Sequence, residues 1–111
     1  MFDWLRGDKD RTGSVHDRSI ERDINQAERS SLFDIPFADH TDRRPDPPEI
    51  NDRVPDEIRR NEITGELTVV EKETRPNSRR SQEQNADLRE GVADLGLDFE
   101  MESVDDDEFW L

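Results

Sequence analysis

The sequence contains no cysteine and no tyrosine, and only 2 of its 16 basic residues are lysine. Without cysteine there is no disulfide framework and no thiolate metal site. Apolar residues make up 29% of the chain. No apolar run approaches the roughly 18 residues of a membrane-spanning helix. The first residues, Met1-Phe2-Asp3-Trp4-Leu5-Arg6, lack the long apolar stretch of a secretion signal. A cytoplasmic or virion-borne protein is the expectation.

Charge is what the sequence has in quantity. Charged residues are 41% of the 111, with 30 acids against 16 bases and a net charge of -14. So little apolar material beside so much charge predicts a mostly irregular, extended chain, largely disordered when free. The Asp-rich, Lys-poor usage resembles that of proteins from salt-adapted or GC-rich genomes, where salt screens self-repulsion. The acidity is uneven: residues 1–30 carry net -1, residues 31–80 net -3, and residues 81–111 net -10.

Local patterns divide the chain into five stretches. Residues 1–37 comprise an aromatic stub, a weak helix over about 15–29 with Ile20, Ile24 and Ala27 on one face, and the apolar anchor Leu32–Phe37. Pro36 argues against a helix in that anchor. Residues 38–56 hold Pro45, Pro47, Pro48 and Pro55 and read as a linker or strap. Residues 57–80 suggest a short helix begun at Pro55 with Ile58 inward, then a β-hairpin over about 61–71 around Thr64-Gly65, then a basic break. Ser81 and Gln84 fit a capping box for a helix over 82–95, within the stretch 81–96 that Gly96 closes. Residues 97–111 alternate apolar and acidic side chains and end Asp105-Asp106-Asp107-Glu108-Phe109-Trp110-Leu111.

That last heptapeptide resembles the acidic-aromatic tail tips of bacterial single-stranded-DNA-binding proteins, which recruit partners. Asp105, Asp106, Asp107 and Glu108 are expected to steer it to a basic surface, and Phe109, Trp110 and Leu111 to dock. The other expected partner-binding residues are Phe2, Trp4, Leu32, Phe33, Ile35, Phe37 and Phe99. Residues 8–15 match an EF-hand loop in part, but its bidentate Glu position falls on Ser19. The PxxP spacing at Pro45–Pro48 fits a linker. His16 and His40 are expected on the solvated surface. The pairs Arg43-Arg44, Arg59-Arg60 and Arg79-Arg80 have acids beside them, so direct nucleic-acid binding is not expected.

No motif names a reaction. The expectation is a non-enzymatic interaction protein without cofactor, folding on binding as an accessory subunit of a larger assembly such as a virion. The alternatives are an acidic nucleic-acid mimic that inhibits a DNA-binding protein, and a regulatory recruiter acting through its tail.

Overall fold

The apolar stripe Ile20, Ile24 and Ala27 is wholly or almost wholly buried, which requires a surface for it to pack on. In the computed structural model, which describes residues 15–74 and 77–104, that surface is a four-stranded mixed sheet. The elements run α1 (Val15–Glu28), β1 (Phe33–Ala38), β2 (Glu57–Asn61), β3 (Leu67–Glu73), α2 (Arg79–Asp94) and β4 (Asp98–Ser103). Strand order is β1-β2-β3-β4. The first two pairings are antiparallel, and β4 lies parallel to β3 after the α2 crossover.

Each helix covers one face. Val69 of β3 packs with Leu88 and Val92 of α2, whereas Lys72, of opposite parity on the same strand, reaches Asp23 of α1. The core is therefore split. Ile20, Ile24 and Ala27 meet Ile35, Ala38 and Phe33 on the α1 side. Ile50, Ile58, Val69, Leu88 and Val92 meet Phe37, Leu67, Leu97 and Phe99 on the α2 side.

The expected mostly extended, intrinsically disordered chain is thus corrected to a compact α/β fold. The composition misled because long charged side chains take core positions here. The Lys72 side chain is fully buried, and Asp23, Glu57 and Arg59 surround it. Their methylenes fill space that apolar residues would otherwise occupy.

Three segments differ locally from expectation. Residues 57–61 form a strand instead of a helix begun at Pro55, because Glu57–Arg60 pair with Leu67–Val70. Residues 98–103 form β4, not a free tail. The Pro-rich stretch is tied to the fold: Arg44 Nε donates to the Ile35 carbonyl at 2.7 Å, and Ile50 is buried. Pro36 sits in β1 where the register shifts between Asp34 and Phe37, a bulge that spares it a ladder bond. The hairpin turn rests on Asn61, whose side-chain oxygen accepts from Ile63 and Thr64 N–H, and on Gly65 at φ 79°. Gly91 lets the strap approach α2, since a Cβ there would lie 2.6 Å from Ile50 Cγ2.

Candidate functional site

Beyond Ile58 and Val69, the α2 face of the sheet turns from apolar to acidic. Asp56 immediately precedes β2, and Glu71 and Glu73 share one face of β3 by strand alternation. The three are 5%, 6% and 8% exposed. They form the floor of a cleft of about 690 Å³ whose walls include His16, His40, Arg53, Ser78, Arg80, Ser81 and Gln84.

Each carboxyl is held from a different element. The Lys72 backbone N–H donates to Asp56 Oδ2 at 2.6 Å, across the β2–β3 pairing. His16 Nε2, on the first turn of α1, lies 2.9 Å from Asp56 Oδ1. Glu71 hydrogen-bonds Asp56. Ser81 Oγ, in the first turn of α2, donates to Glu73 Oε1 at 2.6 Å. The α2 N-terminus is capped by Ser78, whose side chain accepts from Ser81 N–H, so the helix directs its positive end at the cleft. Among the described residues, no arginine or lysine forms a salt bridge with Asp56, Glu71 or Glu73.

The electrostatics follow from that crowding. Burial, reinforced by the hydrogen bond to Asp56 and the charges of Asp56 and Glu73, pushes the Glu71 carboxyl up to about 10. Burial acts against charge on Asp56 too, but its bonds to His16 and Glu71 hold it below the usual aspartate value. Burial likewise opposes a charged His16, yet Asp56 and Asp17 outweigh it and raise the imidazole to about 9. At neutral pH the centre is a protonated Glu71 beside an ionised Asp56. Two buried carboxyls sharing a proton are a common signature of a functional site. Asp56 and Glu71 are an oxygen pair of the kind a hard divalent cation takes, displacing the proton. The ligand oxygens of Asp56, Glu71 and Glu73 do not all lie within 4.8 Å of one another, so Glu73 joins them only by leaving Ser81.

The other face carries a second network, structural in character. Lys72 Nζ bridges Asp23 and Glu102, and Arg59 Nη2 lies 3.2 Å from Asp23, 2.9 Å from Glu57 and 3.4 Å from Glu102. Burial and the charge of Asp23 raise Glu57 to about 7, against the pull of Lys72 and Arg59.

The residues read from the sequence as partner anchors lie elsewhere. Ile35 is fully buried in the α1 core, Phe33 packs against it, and Phe37 and Phe99 pack on the α2 side. Phe99 also lies under the Arg89 guanidinium, 5.0 Å from its carbon. Leu32 is 61% exposed. Phe2, Trp4, Asp105, Asp106, Asp107, Glu108, Phe109, Trp110 and Leu111 lie outside the described residues. His16 and His40, expected on the solvated surface, meet at the cleft wall. Asp56, Glu71 and Glu73 had no part in the sequence reading. For Glu71 and Glu73 the signal was acids at alternating positions directly after Val69-Val70, on a strand buried on both faces; Asp56 carried none.

No helix among the described residues is long and apolar enough to cross a membrane. Comparison with protein-family models, with curated proteins and with solved structures finds no match to this chain. Neither the fold nor these comparisons support the virion-borne or salt-adapted readings.

Proposed function

We propose that the chain is a divalent-cation-dependent phosphodiester hydrolase centred on Asp56, Glu71 and Glu73. The observation that carries this reading is the burial of three carboxyls at one cleft floor, where His16 is paired with Asp56 and no arginine or lysine among the described residues bridges any of the three. Grouping buried acids is costly unless a cation or proton compensates. Mg²⁺ or Mn²⁺ bound by these oxygens would polarise a phosphoryl oxygen and acidify a bound water. His16 and the Lys72 N–H fix Asp56 for that task. Arg80 and the positive end of α2 in the cleft wall favour an anionic substrate, whereas Arg53 beside them is paired with Asp87 at 3.0 Å. A phosphodiester carries a single negative charge, so the acidic floor repels it less than a monoester.

The test is hydrolysis of bis(p-nitrophenyl) phosphate and of labelled single- and double-stranded DNA with Mg²⁺ or Mn²⁺. The expected result is cleavage that EDTA abolishes and that Glu71→Gln reduces about a hundredfold. Cleavage unchanged in Glu71→Gln, or equal with and without EDTA, overturns the assignment.

A second reading keeps the non-enzymatic role: an acidic interaction protein, bound to a protein partner within a larger assembly. It draws on the net -10 of residues 81–111 and on Leu32, Ile63 and Leu95, which expose 61%, 75% and 59% of their surface. No hydrolysis with any divalent cation, together with a partner captured through residues 97–111, favours it.

A further inference from the structure

The sequence has two histidines, and the fold brings both to one point on the cleft wall. His16 stands in the first turn of α1, and His40 follows β1 in a left-handed conformation at φ 61°. Their rings meet edge to face, with centroids 5.0 Å apart. Asp17 lies between them. Its Oδ1 is 3.1 Å from His16 Nδ1 and 3.9 Å from His40 Nδ1, and one ligand atom from each of the three residues lies within 4.8 Å of the other two. Donors on a tetrahedral zinc ion are roughly 3.3 Å apart, given bonds of about 2.0–2.1 Å. Small side-chain rotations close this set around an ion.

We propose that His16, Asp17 and His40 form a binding site for a transition-metal dication of the zinc type. The second independent observation is what the other ring nitrogens face. His16 Nε2 lies 2.9 Å from Asp56 Oδ1, and His40 Nε2 lies 3.4 Å from Asp39 Oδ2. Metal-bound histidines characteristically present the remote nitrogen to a carboxylate, which fixes the ring and raises its basicity. Both histidines have that arrangement. Two imidazoles and one carboxylate select zinc, cobalt or nickel over magnesium and calcium. The His40 side chain is 46% exposed, so the cluster opens to solvent and leaves a fourth position for water or a ligand atom. This site is distinct from the all-oxygen centre and joins it through the His16–Asp56 contact. It does not rest on the hydrolase reading.

The test is calorimetric titration of Zn²⁺ into the EDTA-treated full chain at pH 8, with both imidazole signals followed by NMR. The expected result is a tightest-binding Zn²⁺ equivalent that shifts both rings together, and tetrahedral visible bands when Co²⁺ replaces it. His40→Asn, which tolerates the left-handed backbone, weakens Zn²⁺ binding more than about a hundredfold. Asp39→Asn weakens it about tenfold. Glu71→Gln leaves it within about threefold, which separates this site from the carboxyl centre. Zn²⁺ that binds without moving either ring, as adsorption on the acidic C-terminal segment would, overturns the proposal. So does unchanged affinity in His40→Asn. The wild-type ring response decides the matter even if a variant fails to fold.

Discussion

Replacing Lys72 with methionine lowers the unfolding free energy by about 3–5 kcal/mol, the effect of removing one partner from a buried ion pair. The Lys72 side chain is wholly inaccessible, and its ammonium is the cation between Asp23 and Glu102. Glu57 is also wholly buried beside it. Methionine matches the lysine stem in volume but leaves Asp23, Glu57 and Glu102 to the Arg59 guanidinium, with a longer contact from Arg22 to Asp23 at 3.8 Å. A small domain has roughly 5–15 kcal/mol in total, so the variant sits near its folding threshold. Adding Asp23→Asn to Lys72→Met recovers part of the loss, because it removes one uncompensated charge. Urea unfolding of both single variants and the double variant measures the coupling. A loss below about 1 kcal/mol for Lys72→Met, the value of an exposed pair, contradicts this account of the core.

Stability is also expected to peak in mild acid and to fall by several kcal/mol towards pH 10 when no divalent cation is present. Glu57 and Glu71 are raised from 4.5 to about 7 and about 10. Below pH 4.5 both are neutral whether the chain is folded or unfolded. Above it the unfolded chain ionises while the folded chain holds its protons, so each group destabilises the fold increasingly up to its folded value. His16, raised from 6.5 to about 9, stabilises fully below pH 6.5 and loses that contribution by about pH 9. Glu102 acts oppositely. Burial works against its charge, but the Glu100 hydrogen bond and Lys72 hold it down to about 2. Its contribution is present above pH 4.5 and lost as the pH falls towards 2. The melting temperature in EDTA is therefore highest near pH 4–5. A melting temperature that rises from pH 6 to pH 9 contradicts the assignment of these groups.

Short-range patterns located α1 and α2 to within a few residues and marked the Thr64-Gly65 turn. Ile20, Ile24 and Ala27 recur at helical spacing and Gly65 supplies the positive φ the turn requires, whereas the cap of α2 is Ser78 and not Ser81, which lies in the first turn and bonds Glu73. The sheet was not legible because its pairings are non-local. Nothing near Phe33 announces Asn61, and nothing near Asp98 announces Thr68. The core was underestimated for a related reason. Glu57, Lys72 and Asp23 count as solvated residues in a composition, and become interior only when β2, β3 and α1 bring opposite charges into register. The candidate site followed the sheet. Asp56 and Glu71 are 15 positions apart in the sequence and adjacent only across the β2–β3 pairing, while Ser81 and His16 arrive from two helices.

Uptake of a hard divalent cation by Asp56, Glu71 and Glu73 is the proposal on which the hydrolase reading rests. It is tested most directly by adding sub-stoichiometric Mn²⁺ to the ¹⁵N-labelled full chain at pH 8 and reading paramagnetic broadening residue by residue. Early loss of the amide signals of Asp56, Glu71, Lys72, Glu73 and Ser81 is expected, competed away by Mg²⁺, much reduced in Glu71→Gln and retained in His40→Asn. Broadening confined to the acidic residues 105–108, with the β2–β3 signals unchanged, would contradict it.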